Sequence, residues 1–376
     1  MIRIPIESPI TTYLYSKATQ NGIPLSGTFE LTPLCNMNCK MCYVRLEKSE
    51  QEVIGPLHTA EEWISLAKEA RNAGMLYLLL TGGEPFLHPQ FRQILTELHH
   101  MGFLISINSN GTMIDEKTVE WLKEVPPIRM NITLYGASDE TYEKLCANAK
   151  GYTQATRAIE LLCEAGIPVK INCSVTPHNA KDLPKIIEYA KKRQLLIQPT
   201  SYMFPPIRKN EMMVGKNDRF TPEEASYYFA YTDYLIYGKE KFLERCESVL
   251  PMLMDTEEVC GVEGEKISCR AGKCSFWIAW NGEILPCGMF AAGEKLNVFK
   301  MGFHKAWEEV KKQTEMIRLP KKCAVCSLKD RCRSCAAMVY AETGSFDKVP
   351  EYRCEMVKAF DAQRMRMKEM IQEGEF

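Results

Sequence analysis

At 376 residues the chain has room for one large and one small domain, and 45% apolar with 25% charged residues is the balance of a soluble globular protein. A formal net charge of −1 gives no electrostatic case for nucleic acid or for an anionic membrane as partner. No apolar run approaches the length of a membrane span, and the amino terminus, Met1 to Pro5, lacks the apolar core and cleavage site of a signal peptide. Sixteen cysteines then argue for metal in a reducing, cytoplasmic compartment rather than for disulfides.

In chain order, residues 1–24, with Pro5, Pro9, Gly22 and Pro24, read as an irregular lead-in. Phe29 to Thr32 reads as a first strand that delivers Cys35 at its carboxyl end. Thr59-Ala-Glu-Glu62 is a capping box, followed at helical spacing by Trp63, Leu66, Ala67 and Ala70, with Gly74 as a stop. Met75 to Leu80 is a continuous apolar run, as expected of a strand buried on both faces. Helices are predicted over 89–101, 115–124, 139–165 and 180–193, and strands over Phe103–Ile107, Ile128–Leu134, Val169–Val175 and Leu195–Thr200. Six strands alternating with helices imply parallel βα units, as a barrel or as an open sheet.

Thr221 to Cys246 reads as one long helix with Pro222 in its first turn, a bridge between domains whose tyrosines are packing. Beyond it the composition shifts. Nine cysteines lie between Cys260 and Cys354, in a stretch with few long periodic segments that needs metal to hold it. The expected organisation is a lead-in (1–24), an α/β domain of parallel βα units (25–225), a bridging helix (226–254) and a cysteine-rich domain (255–376).

Two patches carry chemistry. Cys35, Cys39 and Cys42, at CxxxCxxC spacing, can ligate three corners of a cubane iron–sulfur cluster and leave the fourth iron open, whereas electron-transfer clusters take four thiolates. Thr81-Gly-Gly-Glu-Pro85 ends the apolar run that follows. Alone, the first would also suit a zinc knuckle or part of a ferredoxin, and the second a strand-ending turn. Together and in this order they resemble the radical S-adenosylmethionine (SAM) enzymes. That resemblance implies a partial (β/α)6 TIM-type barrel over residues 25–225, with SAM chelated on the open iron. It also implies cofactor contacts from Gly82, Gly83, Glu84 and Pro85, from Ser109 and Asn110 in the turn ending at Gly111, from Thr133 at a strand end, and from Met41 where the family usually has an aromatic residue. The basic residue that often accompanies Thr133 is not matched: Leu145 stands at that spacing, with Lys144 or Arg157 as substitutes.

The downstream cysteines run Cys269-x4-Cys274-x12-Cys287, then Cys323-xx-Cys326-x5-Cys332-xx-Cys335, then Cys354, with Gly282 five residues before Cys287. Zinc held by Cys323, Cys326, Cys332 and Cys335 is one reading, which leaves four cysteines without a role. The run also resembles the SPASM extension of radical SAM enzymes that modify peptides and proteins, one residue short before Cys335. By that resemblance Cys269, Cys274, Cys287 and Cys335 hold one auxiliary 4Fe–4S cluster, and Cys323, Cys326, Cys332 and Cys354 a second, making three clusters in all. Cys260 is the spare; Cys146, Cys163 and Cys173 read as packing residues.

The resemblance implies reductive cleavage of SAM to a 5′-deoxyadenosyl radical and hydrogen abstraction from a residue of a ribosomal peptide, giving a crosslink, thioether or epimer. Implied partners are the peptide or protein substrate and a flavodoxin- or ferredoxin-type electron donor; a precursor would be recognised by the barrel mouth, by the SPASM region or by a separate leader-binding protein. The alternatives are an anaerobic sulfatase-maturing enzyme and a non-enzymatic multi-cluster electron carrier. Sulfatase-maturing enzymes place an aspartate base directly after the third SPASM cysteine; here that residue is Gly288. Glu283, on an expected turn four residues before Cys287, would reach the site only across a bent strand. No residue is assigned as catalytic acid or base.

Overall fold

A computed structural model describes residues 7–247 and 263–374. Six strands, β1 (Ser26–Glu30), β2 (Tyr77–Thr81), β3 (Leu104–Ser109), β4 (Arg129–Thr133), β5 (Val169–Ser174) and β6 (Leu196–Thr200), alternate with helices as the periodicity predicts. Each lies parallel to the next. Two short strands, β7 (Ser275–Ile278) and β8 (Ile284–Leu285), complete one sheet of order β6-β5-β4-β3-β2-β1-β7-β8. β7 runs parallel to β1 and β8 returns antiparallel to it. The sheet keeps β6 and β8 as unpaired edges, so the barrel is partial. The cysteine-rich part is thus sewn into the barrel through β1 rather than appended to it.

Burial alternates along these strands, because successive side chains point to opposite faces. In β3, Ile105, Ile107 and Ser109 are buried against the helices, while Leu104, Ser106 and Asn108 are half-buried towards the lumen. β2, expected to be buried on both faces, follows the same rule, with Leu78 and Leu80 buried and Leu79 half-buried. The outer layer carries the core. Trp63, fully buried on the capping-box helix Ala60–Asn72, packs on Phe29 of β1 with ring centroids 5.0 Å apart. The same core continues into the cysteine-rich part through Phe276, Phe303 and Trp307.

Four expectations are corrected. The lead-in holds a helix, Pro9–Asn21. The residues read as irregular are its punctuation: Ser8 caps it, Pro9 opens it, and Gly22 closes it at φ 65°. The helix expected over 139–165 is two, Asp139–Cys146 and Gly151–Glu164, separated at Ala147 with φ 53°. The bridging helix breaks at Gly238 into Pro222–Tyr237 and Lys239–Glu247, and its predicted continuation over 248–254, like Cys260, lies outside the described residues. The cysteine-rich part also contains long helices, Phe303–Met316 and Glu351–Glu373. Phe303, Ala306, Trp307, Val310 and Thr314 repeat at helical spacing on the buried face of the first. The second lies along Pro222–Tyr237, where Ser226 Oγ donates to the Met356 carbonyl. Arg219 clamps Glu342 at 2.6 and 2.8 Å, both side chains buried, and Tyr202 Oη adds a third bond to the same carboxylate.

Candidate active site

The chain leaves β1 at Glu30 and β2 at Thr81, and the two exits stay paired beyond the strands. Leu31 N donates to Thr81 O at 2.8 Å, Gly83 N to Thr32 O at 2.7 Å and Glu84 N to Leu34 O at 2.8 Å. The Gly-Gly-Glu stretch is therefore laced to the segment that leads into Cys35. Only glycine permits this approach. A Cβ at Gly82 would lie 2.6 Å from Thr32 O, and one at Gly83 would lie 2.4 Å from Leu34 O, both rigid backbone atoms. Gly83→Ala should accordingly displace the cysteine loop, and we expect it to lower SAM affinity by about tenfold or more, since a displacement costing ~1.4 kcal/mol already gives that factor. Equilibrium binding of SAM to the reconstituted protein measures it, and wild-type affinity in the variant would contradict this account of the turn.

Glu84 is fully buried, and its carboxylate is taken up by the protein itself. Oε1 accepts from Ser109 Oγ at 2.9 Å and from Phe86 N at 3.3 Å, and Oε2 accepts from Asn110 N at 2.7 Å. Burial nonetheless pushes the carboxyl up to about 7, against the bonds from Asn110, Ser109 and Phe86 that hold it down. Glu84 thereby braces the turn after β3 against the turn after β2. Pro85 opens a single 3-10 turn, Pro85–Leu87, beside it. Asn110 extends the brace to the cysteine loop, donating to Asn36 Oδ1 at 2.8 Å and lying 3.6 Å from Cys35 Sγ.

Cys35, Cys39 and Cys42 lie half-buried on one loop, and burial is what chiefly raises the Cys35 thiol, to about 12, and the Cys42 thiol. Backbone donors already point at two of them: Met37 N lies 3.4 Å from Cys35 Sγ, and Arg45 N 3.3 Å from Cys42 Sγ. Hydrogen bonds of this kind to sulfur are what tune bound iron–sulfur clusters. Two neighbours escaped the sequence reading. Cys146, read as packing, is buried with its thiol hydrogen-bonded to Cys39, which raises the Cys39 thiol together with burial. The same helix end holds the loop, since Asn38 N donates to Cys146 O at 2.8 Å and Lys40 N to Leu145 O at 3.0 Å. Arg45, mostly buried and paired with Glu47 at 2.7 Å, places positive charge near Cys39. Neither residue has a motif of its own; each is found only through its contacts.

Met41 is half-buried against the main core, and Thr133 ends β4 with its carbonyl bonded by Tyr142 Oη at 3.2 Å. The substitutes considered for the missing basic residue are not brought to the site. Lys144 pairs with Glu140 and Arg157 with Glu116 on exposed faces, and Leu145 is in the core.

The downstream cysteines fall into two groups. Cys287 is pushed up to about 12 by burial and then by Cys335 and Cys269. Cys323 is pushed up to about 11 by burial and then by Cys354, Cys332 and Cys326. The first group thus gathers Cys269, Cys287 and Cys335; the second gathers Cys323, Cys326, Cys332 and Cys354, a partition that separates Cys335 from the zinc set. Cys274, next to Cys269, has its buried thiol 3.1 Å from Thr19 Oγ1 instead of facing Cys287.

Between the first group and the barrel mouth stands a polar knot. Arg208 forks onto Glu30 at 3.0 and 3.1 Å and also donates to Gly288 O at 3.0 Å, while Trp277 Nε1 donates to Glu30 at 2.9 Å. Glu283, on the turn between β7 and β8, lines a small cleft with Glu30, Tyr43 and Arg208, and burial raises its carboxyl. The turn brings it to the mouth because β7 runs parallel to β1, so both strands end on the same side.

The model of the radical SAM superfamily matches residues 29–190. Residues 29–190 form a radical SAM domain. Among curated proteins, an AdoMet-dependent heme synthase of Methanosarcina barkeri is 25% identical over 85% of this chain and 93% of its own length. The antilisterial bacteriocin subtilosin biosynthesis protein AlbA of Bacillus subtilis is 26% identical over 80% of this chain and 62% of its own length. Among solved structures, Streptococcus suis SuiB bound to its precursor peptide SuiA superposes with a TM-score of 0.64, at 17% identity over 91% of this chain and 80% of SuiB. That last likeness extends the shared fold beyond the radical SAM domain into the cysteine-rich part. A radical SAM domain implies SAM and one 4Fe–4S cluster. The half-buried thiols with N–H donors aimed at their sulfurs fit such a cluster.

Proposed function

We propose that this chain is a radical SAM enzyme that modifies a residue of a ribosomally made peptide. Cys35, Cys39 and Cys42 hold the SAM-binding cluster, with Gly82, Gly83, Pro85, Met41, Ser109, Asn110 and Thr133 around the cofactor and Glu84 bracing them. With these groups bound, the site supplies a 5′-deoxyadenosyl radical able to take a hydrogen atom from an unactivated carbon. The chain's own part is positional. The paired backbones at 31–34 and 81–84 would fix where the cofactor's amino acid end lies. The carrying observation is the cysteine loop laced to the Gly-Gly-Glu turn at the carboxyl ends of β1 and β2. The kinship with AlbA supports a peptide substrate. Cys269, Cys274, Cys287 and Cys335 hold one auxiliary 4Fe–4S cluster, which requires the Cys274 thiol to turn from Thr19. Cys323, Cys326, Cys332 and Cys354 hold the other. A flavodoxin or ferredoxin donates electrons, the barrel mouth, the cysteine-rich part or a separate protein binds the leader, and the setting is cytoplasmic; no described helix is long and apolar enough to cross a membrane.

A second reading, formation of heme, is favoured by one observation, the match to the heme synthase along 93% of its length. Anaerobic turnover with candidate peptides drawn from the reading frames beside the gene tests both. We expect a peptide mass change together with 5′-deoxyadenosine; heme absorbance from a porphyrin substrate, with the peptides unchanged, would move the assignment.

The sulfatase-maturing alternative has a structural obstacle. A Cβ at Gly288 would lie 2.7 Å from the Trp277 ring, so the family's aspartate could not stand there without moving that ring. A sulfatase-motif peptide should therefore give no formylglycine by mass spectrometry. Formation of that product, abolished by Glu283→Gln, would reinstate the alternative with Glu283 as its base.

A further inference from the structure

The lumen has a charge that no described residue in it balances. Its wall is mostly neutral and hydrogen-bonding, with Ser106, Asn108, Asn172 and Gln198 facing the cavity of about 720 Å³. Two cations interrupt this wall on adjacent strands, Arg129 at the start of β4 and Lys170 near the start of β5. Among the described residues, no hydrogen bond or ion pair engages the Arg129 side chain, and its Nε is buried without a partner. The Lys170 ammonium bonds a neutral group, Gln198 Oε1. Burial, and then Arg129 beside it, lower the Lys170 amine to about 8. Asn131, which faces Lys170 in the strand register, keeps a buried Oδ1 without a partner. Glu7 is the one carboxylate among the cavity's described lining residues, and Arg270 holds it at 2.6 Å through both oxygens. Two like charges in a half-buried wall without a counter-ion are costly, and an anion entering the lumen removes that cost.

We propose that Arg129 and Lys170 form a subsite for a carboxylate of the substrate, either an Asp or Glu side chain or a peptide's terminal carboxylate. The proposal rests on the peptide reading above. A guanidinium with free N–H groups beside an ammonium suits two carboxylate oxygens. Its place sets a register. Arg129 lies four residues below Thr133 along β4, and an extended peptide rises about 3.3 Å per residue, as a strand does. The anchored carboxylate therefore belongs about four residues from the residue presented at the strand ends.

Acetylation of Lys170 tests this without turnover, so failure to find a peptide product leaves the result intact. The cluster-loaded, SAM-bound enzyme is treated anaerobically at pH 8 with an N-hydroxysuccinimide acetate, and Lys170 is followed by mass spectrometry. N-acetylglutamate α-amide probes a side-chain carboxylate, N-acetylalanine a terminal one, and N-acetylglutamine α-amide is the neutral control. We expect at least one carboxylate to slow Lys170 acetylation several-fold, the control to leave it unchanged, and the protecting compound to identify the source. In Arg129→Gln, with cluster content checked by iron analysis, the protection should vanish. Uncomplexed Lys170 should also react more slowly there, by about tenfold for each pKa unit it regains. No protection by either carboxylate, equal protection by the neutral amide, or protection that survives in Arg129→Gln would overturn the proposal.

Discussion

Replacing Cys35, Cys39 and Cys42 together by Ala should abolish 5′-deoxyadenosine formation while the chain stays folded and keeps the auxiliary iron that the proposed assignment gives it. The loop does not depend on its thiols alone for shape. It is held by backbone bonds to Cys146 and Leu145 and by the lacing of residues 31–34 to the Gly-Gly-Glu turn, none of which the substitution removes. The downstream cysteines form their own groups, so on the proposed assignment their metal is retained. With four irons per cubane, anaerobic reconstitution should give roughly twelve irons per wild-type chain and roughly eight in the triple variant. Wild-type iron content in the variant, or SAM cleavage persisting in it, would show that the SAM-binding cluster lies elsewhere. Zinc in place of iron in the downstream groups would remove the auxiliary clusters from the assignment.

The second large effect concerns stability. Glu30 is 1% exposed and Arg208 is 13% exposed as side chains, and their fork joins β1 to the loop after β6. Arg208→Met leaves the Glu30 carboxylate buried with the Trp277 indole as its remaining partner, and frees the Gly288 carbonyl as well. Removing one partner of such a pair typically costs about 3–5 kcal/mol, whereas replacing both by apolar groups is often neutral. We expect the single variant to lose ~3–5 kcal/mol in denaturant unfolding. The double variant Arg208→Met, Glu30→Leu should recover part of that loss, because Trp277 Nε1 and Gly288 O then lack partners at about 1–3 kcal/mol each. A single variant within ~1 kcal/mol of wild type would mean that water reaches Glu30 and the knot is not sealed.

Much of the barrel was legible because its signals are local. An apolar run such as Met75 to Leu80 marks a strand, although its two faces are buried unequally, and Thr59 with Glu62 closes its capping box within one turn of helix. The cysteine spacing and the Gly-Gly-Glu-Pro turn belong to the same class, since the chemistry they serve requires those residue types close together in the chain. The misread breaks are local too, but they turn on a single backbone angle. Ala147 adopts a left-handed conformation that helical periodicity does not register, and Gly22 reads equally well as a loop or as a helix end.

The sequence by itself determined the αβ alternation, the three-cysteine loop with its partner turn, and the crowding of cysteines after residue 260. The tertiary structure alone decided what these elements meet. It set β7 beside β1 and so carried Glu283 to the mouth. It placed Cys146 against Cys39, a separation of 107 positions in the chain. It also spent Lys144 and Arg157 on the surface while leaving Arg129 and Lys170 in the lumen. The physical reason is that periodicity reports which face of an element is buried, whereas electrostatic partnership depends on distance in space. A lysine on a strand of alternating polarity reads the same whether an acid or an empty cavity lies opposite, and only strand order and register decide between them.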